Sequence, residues 1–166
     1  MKRIVFGTVV LLCMSFMNDK ISPRLQQKLH NAVATSYEIE EFELTPLEAT
    51  LVEDHLFTIS SAEGQLGFAY LGRAASMKEM FDYVVLLTPE LEIKKAKVLI
   101  YRENHGRQIG SQRWLKQFIG KGSRDSLEYG GEIDAISGAT ISAKSMTKAV
   151  KEVLNKMEAL HTKGAI

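Results

Sequence analysis

The chain has 166 residues, of which 45% are hydrophobic and 25% are charged, and its formal net charge is +1. This composition is ordinary for a globular protein with enough residues for one hydrophobic core. The balanced charge and the absence of a long basic run argue against a nucleic-acid partner. Cys13 is the single cysteine and the histidines are scattered, so the sequence predicts no metal site and no disulfide in the mature domain.

The first 20 residues have the pattern of a targeting segment. Lys2 and Arg3 precede an apolar run from Ile4 to Met17, which is shorter than the roughly 20 residues of a membrane span. A buried N-terminal strand is the alternative, but it does not explain the paired positive charges. We therefore predict a signal peptide or N-terminal anchor at 1–20, with lipidation at Cys13 left open, and a single domain at 21–166. The domain is expected to be exported, in the periplasm or on the outer face of the inner membrane of a bacterium.

The first element predicted after this segment is a helix. Ser22 has the side chain of an N-cap, Pro23 follows at the first helical position, and the apolar spacing carries the helix to about Thr35. The acidic stretch that follows predicts a short strand and then a turn at Pro46. Two hairpin-like pairs come next, with strands at 56–60 and 66–72 and at 81–88 and 93–102.

The second half of the chain begins with a run of apolar residues at 98–100, which predicts a strand buried on both faces. A short helix is predicted at 112–119, with Trp114, Leu115 and Phe118 facing inward, and a loop at 120–131. After Met146, apolar residues recur every three or four positions and predict a long amphipathic helix. The expected fold is therefore α+β, an antiparallel sheet with packed helices. The apolar positions of the long helix are 146, 149, 150, 153, 154, 157 and 160.

The most informative segment, D-A-I-S-G-A-T-I-S at 134–142, lies directly ahead of that helix. Gly138 adopts a positive φ without steric cost, which favours a tight turn there. The hydroxyls of Ser137, Thr140 and Ser142 are expected at the helix N-terminus, where unpaired N–H groups and the helix dipole attract an anion such as phosphate. The alternative is an ordinary N-cap, in which Thr140 or Ser142 accepts a hydrogen bond from the first turn.

The string S-G-A-T, with an acidic residue ahead of it, resembles the flavinylation motif of the FMN-binding domain family. That family includes soluble domains of the Rnf complex and of the Na+-translocating NADH:quinone reductase. The resemblance implies an FMN-binding domain-like fold and FMN joined covalently to Thr140 by a phosphoester, which a separate FAD-using flavin transferase installs. It also implies that Asp134, Ser137, Gly138 and Ala139 belong to the cofactor-binding and recognition segment.

A second block looks like the middle of the same family. It consists of E-N-H-G at 103–106 and an aromatic-apolar-Gly-Lys pattern at 118–121. His105 and Gly106 are therefore predicted to contact the flavin, with an ordinary strand-ending turn as the alternative. Many family members carry E-T-P-G-L-G where this chain has H-G-R-Q-I-G at 105–110, so the resemblance specifies the attachment better than the ring contacts.

Several side chains near the motif have two interpretations. Trp114 and Tyr129 either cover a face of the flavin ring or belong to the core and its boundary. Lys144 and Lys148 either approach the phosphate or lie on a solvated helix face. Asp134 either marks the motif for the flavin transferase or forms an Asx-turn with its own backbone.

The resemblance implies an exported flavoprotein that carries electrons between a membrane redox complex and an extracytoplasmic acceptor, with the flavin supplying the redox chemistry. No G-x-S-x-G segment or nucleophile–base pair predicts an independent enzyme with catalytic residues of its own. Two alternatives are a non-catalytic exported binding or adaptor domain, whose S-G-A-T segment only caps a helix, and a reductase or carrier that binds FMN noncovalently.

Overall fold

The protein is described by a computed structural model that covers residues 21–48 and 54–166. Its centre is a five-stranded antiparallel sheet in which strands adjacent in sequence are adjacent in space, in the order β1-β2-β3-β4-β5. The strands are β1 (Glu43–Leu47), β2 (His55–Ser61), β3 (Gly64–Ala75), β4 (Met80–Leu87) and β5 (Ile93–Ile100). The α-helices are α1 (Pro23–Tyr37), α2 (Gln112–Leu115) and α3 (Thr140–Thr162), with 3₁₀ segments at Arg107–Gly110 and Lys116–Phe118.

These elements confirm the α+β class and the antiparallel sheet predicted from the sequence. The predicted signal peptide or anchor at 1–20 lies outside the described residues. Within the described ranges, no helix combines the length and the apolar content that a membrane crossing requires.

The sheet is covered on both faces. Leu29, Ala32 and Val33 of α1 pack on one face, and α3 covers the other. Because side chains of a strand alternate between faces, Val84 in β4 points toward α1, whereas Val85 points toward α3. Both residues are fully buried. Such two-sided burial explains the nearly continuous apolar sequence of β4.

Helix α3 buries the face that the apolar periodicity predicts. Every predicted position from Met146 to Leu160 is buried. Burial of a large aliphatic side chain contributes about 1.5–3 kcal/mol, so this face provides a large part of the attraction between α3 and the sheet. The helix begins at Thr140, directly at the end of the S-G-A-T string, and it therefore carries the motif on a well-packed support.

Three local predictions differ from the structure. Pro46 is not in a turn: it lies inside β1, opposite Phe57, where an edge strand tolerates the missing N–H. Helix α1 starts as predicted, with Ser22 as its N-cap, but it ends at Tyr37 rather than Thr35. The apolar run at 98–100 is only half-buried, because β5 is the other edge of the sheet.

Candidate functional site

The S-G-A-T segment forms a tight turn that leads into α3. The amide of Ala139 donates a hydrogen bond to the carbonyl of Ile136 at 3.3 Å, and Gly138 stands third in this turn with φ 78°. A residue with a side chain is strained at that φ, and the prediction that Gly138 takes a positive φ is confirmed. Ser137 and Gly138 are exposed, whereas Ala139 is buried and fixes the turn to the core.

The N-terminus of α3 is left without a side-chain cap. Ala139 is the N-cap residue, and the first intrahelical bond runs from the amide of Ala143 to the carbonyl of Ala139 at 2.9 Å. The alternative in which Thr140 or Ser142 caps the helix is therefore wrong. The amides at 140–142 have no side-chain acceptor, and this arrangement suits an anion.

Thr140 is the first residue of α3 and is exposed. Its Oγ1 donates to the carbonyl of Ile136 at 3.5 Å, the long limit of a hydrogen bond. The hydroxyl is consequently held near the turn, on an exposed residue.

Ser142 does not present its hydroxyl at the helix N-terminus, contrary to the sequence prediction. It is 4% exposed, and its Oγ lies 2.9 Å from the hydroxyl of Tyr101, which follows β5. The pair ties the first turn of α3 to the end of the sheet. Sequence reasoning missed Tyr101 because nothing in a single aromatic residue after a strand indicates a partner 41 positions away.

The loop that contains His105 and Gly106 meets the S-G-A-T turn. Gly106 is buried with φ 78°, and a Cβ on it would stand 2.6 Å from the Tyr101 hydroxyl and 3.6 Å from the carbonyl oxygen of Gly138. The positive φ and the Tyr101 hydroxyl therefore require glycine at 106, whereas the distance to Gly138 is an ordinary van der Waals contact. His105 is exposed beside it. The structure thus brings together both segments that the sequence singled out, while their contact with flavin stays a prediction.

Asp134 is held by its backbone rather than by its carboxylate. Its amide donates to Gln117 Oε1 at 2.9 Å, and its carbonyl accepts from Trp114 Nε1 at 2.8 Å. Trp114 is buried and packs edge-on against Phe118, so it belongs to the core and does not offer a free ring face. This clamp leaves the Asp134 side chain exposed.

A shallow groove of about 340 Å³ runs along the first turns of α3. Tyr129 lines it, and the Tyr129 hydroxyl accepts a hydrogen bond from the amide of Ile136 at 3.2 Å. The Lys144 ammonium lies 5.8 Å from the centre of the Tyr129 ring, one helical turn after Thr140 on the same face. Lys148 also lines the groove but pairs with Glu152 at 3.7 Å, as expected for a solvated helix face.

Glu103, which follows β5, accepts hydrogen bonds from the turn between β3 and β4. Its Oε1 accepts hydrogen bonds from the amides of Lys78 and Glu79 at 2.7 and 3.1 Å, and from the Ser76 hydroxyl. These bonds favour the charged carboxylate and hold the pKa of Glu103 below its ordinary value of 4.5. The bond from the Lys78 amide contributes most to this lowering. Glu103 thereby joins the β3–β4 turn to the loop that contains His105.

We expect that acid breaks the hydrogen bonds between Glu103 and the β3–β4 turn. Because the pKa of Glu103 is lowered in the folded protein, its bonds stabilise the turn at pH above 4.5 and are lost as the pH falls through the lowered pKa. NMR titration of the Glu103 carboxyl and of the Lys78 amide should show one shared acid transition. Glu103→Gln should remove that transition from the Lys78 amide. A Lys78 amide shift that persists in the Gln variant would contradict the assignment.

A double-mutant cycle tests the tie between Tyr101 and Ser142. Tyr101→Phe and Ser142→Ala each leave one hydroxyl without its partner, and each is expected to cost about 1 kcal/mol in the free energy of unfolding. The double variant should cost about 1 kcal/mol less than the sum of the single variants, because the two changes remove the same bond. Urea denaturation measures all of these values. A coupling energy near zero would mean that the two hydroxyls do not interact.

Comparison with known proteins adds to this geometry. Residues 78–155 match the family model described as "FMN-binding domain". This segment of the chain is similar to the FMN-binding domain family. The matched segment holds β4, β5, α2 and every site residue predicted from the sequence. The resemblance to that family is confirmed, and FMN is supported as the cofactor.

Among solved structures, the fold is similar to that of NqrC from Shewanella oneidensis. The two chains are 17% identical with a TM-score of 0.49, and the alignment covers 65% of this chain and 61% of that one. No curated protein matches the sequence. Among the described residues there is no cluster of histidine, cysteine and acidic side chains that could bind a metal ion.

Proposed function

We propose that this FMN-binding domain is an exported electron carrier whose FMN is joined to Thr140 by a phosphoester. The observation that carries the proposal is the exposed Thr140 hydroxyl, which stands at the uncapped N-terminus of α3 inside the segment that matches the family. A hydroxyl that only capped the helix would be engaged with the first-turn amides, and this one is not.

The residues present fit a phosphate-linked flavin. A phosphodiester keeps a negative charge, and the first-turn amides of a 23-residue helix favour an anion there. Lys144 adds a positive charge one turn along the same face. Gly106 and Gly138 place no side chain in the two loops beside Thr140.

Bound FMN supplies the transfer of electrons, and the protein supplies attachment and orientation. The hydrogen bond between the Tyr101 and Ser142 hydroxyls fixes the direction of the first turn of α3. The clamp of Trp114 and Gln117 on the Asp134 backbone holds the acidic side chain outward, where a flavin transferase would recognise it.

The proposed cellular setting rests on the family resemblance and on residues 1–20. The charged and apolar pattern of that segment supports export, to the periplasm or the outer face of a bacterial inner membrane. There the carrier would be matured by a flavin transferase and would exchange electrons with a membrane redox complex or an extracytoplasmic acceptor.

Intact mass measurement of the denatured protein tests the proposal. The full chain is co-expressed with a flavin transferase in a secreting host. The expected result is a mass increment equal to FMN less one water, which peptide mapping assigns to the segment with Thr140. Flavin that is lost on denaturation would indicate noncovalent binding instead, and a colourless folded chain would favour an adaptor domain. Either of these outcomes would overturn the proposal that the protein carries covalently bound FMN.

A further inference from the structure

A second groove lies away from the motif, between the end of α1, strand β5 and the segment that contains α2. It has a volume of about 510 Å³, and Lys94, Lys95 and Lys97 of β5 line one side. All three lysines are half-buried. No carboxylate of the described residues lies within ion-pair distance of their ammonium groups. Lysines of intermediate exposure bury their aliphatic stems and keep the ammonium group near solvent, so these three charges are available to a ligand in the groove.

The local contacts of these lysines do not neutralise them. Lys97 Nζ donates to Thr35 Oγ1 at 2.8 Å, and Lys94 Nζ stands 4.9 Å from the centre of the Tyr37 ring. Burial and the neighbouring charge of Lys95 lower the pKa of Lys97 below its usual 10.5. Glu38 also lines the groove but forms no ion pair with them within 4.0 Å. The groove therefore keeps an excess of positive charge.

A buried hydroxyl without a hydrogen-bond partner lies beside the same groove. Ser36 lines it, and Ser36 Oγ is the buried side-chain polar atom without a hydrogen-bond partner among the described residues. Leaving such a group unpaired has a cost that a bound acceptor would remove. The groove thus combines positive charge with a neighbouring buried hydroxyl that has no partner.

The shape of the groove favours a small molecule over a protein surface. Its volume falls in the range typical of small-molecule sites, whereas a protein partner needs a much larger contact area. Ile119, which is 44% exposed, supplies an apolar wall of the groove, and Gln112 adds an amide. Inorganic phosphate alone would leave that wall without a contact.

We propose that this lysine groove binds a small organic molecule that carries a phosphate or carboxylate group. Lys95, Lys97 and Ser36 would bind the oxyanion, and Ile119 would contact the organic part. The groove is distinct from the Thr140 site: the clamp of Trp114 on Asp134 faces the motif, whereas Gln112 and Ile119 of the same segment face the lysines. The proposal does not depend on covalent flavin.

NMR titration of the full chain tests the proposal. Phenyl phosphate, benzoate and inorganic phosphate are each added at constant ionic strength, with sodium chloride as the reference. Saturable shifts of the Lys95 and Lys97 side chains and of the Ser36 amide are expected. Phenyl phosphate should bind more tightly than inorganic phosphate, and the comparison with benzoate shows which oxyanion is preferred. Binding should also raise the pKa of Lys97, whose titratable neighbours are Lys94, Lys95, Tyr37 and Glu38.

Variants of the groove distinguish a site from a charged surface. Lys97→Gln is expected to weaken phenyl phosphate binding about tenfold or more, since it removes a charge-assisted hydrogen bond. Ser36→Ala should also weaken binding while leaving the free protein as stable as before, because it deletes a hydroxyl that has no partner. Lys148→Gln, on the exposed face of α3, is the matched control and should leave binding unchanged. Shifts that sodium chloride reproduces, or an affinity that Lys97→Gln and Ser36→Ala leave unchanged, would overturn the proposal.

Discussion

Thr140→Ala is expected to abolish covalent flavin completely while leaving the fold intact. The variant lacks the oxygen that the proposed phosphoester requires. Thr140 is exposed, and its one hydrogen bond is 3.5 Å long, so little packing or bonding is lost. Alanine also favours a helix more than threonine does. The free energy of unfolding should therefore change by no more than about 0.5 kcal/mol.

The measurement compares intact mass and urea denaturation for the wild type and the variant. Thr162→Ala is the control, because it removes an exposed hydroxyl from the opposite end of the same helix. This control should keep a full complement of flavin. Covalent flavin that survives in Thr140→Ala would disprove the attachment point. Loss of flavin together with unfolding would be inconsistent with the surface position of Thr140.

Gly67→Ala is expected to have the largest effect on stability, about 3 kcal/mol or more. Gly67 lies in β3 with φ 147°, and an added Cβ would stand 2.0 Å from the carbonyl oxygen of Leu87 and 2.8 Å from the Tyr37 hydroxyl. The first of these atoms is backbone and cannot rotate away. The change would strain the chain and break the 3.0 Å hydrogen bond from Tyr37 to Leu87, which fixes the end of α1 to the sheet.

Gly64→Ala separates the clash from the backbone strain. Gly64 also has a positive φ, of 129°, but a Cβ there would meet nothing within 4 Å. It should therefore lose only the strain energy, about 1–3 kcal/mol, and less than Gly67→Ala. Urea denaturation of both variants measures the difference. Equal losses would show that the Leu87 carbonyl and the Tyr37 hydroxyl give way easily.

The correct sequence predictions depend on short-range geometry. The inner face of α3 follows from a 3.6-residue period that a helix imposes locally, and every predicted position from Met146 to Leu160 is buried. The N-cap at Ser22 and the positive φ of Gly138 follow from the steric and bonding properties of single residues. The S-G-A-T string revealed the resemblance to the family because its residues are contiguous.

The predictions that failed required the neighbours of a residue in space. Proline favours turns in general, but Pro46 lies in a strand opposite Phe57, which is tolerated because β1 is an edge strand. The local sequence does not determine the position of a strand in the sheet. Ser142 has the chemistry of a cap, yet Tyr101 binds its hydroxyl from 41 residues away. A local argument weighs only the bonds that nearby residues offer.

By itself, the sequence determined the α+β class, the long helix behind the motif and the threonine on which the proposed attachment depends. Those features are set by periodicity and by the stereochemistry of adjacent residues. Only the tertiary structure decided that Thr140 stays exposed at an uncapped helix end, that Gly106 meets Gly138, and that three lysines share a groove with Ser36. Sheet pairing and helix packing create these arrangements, because they bring side chains from distant parts of the chain into one place.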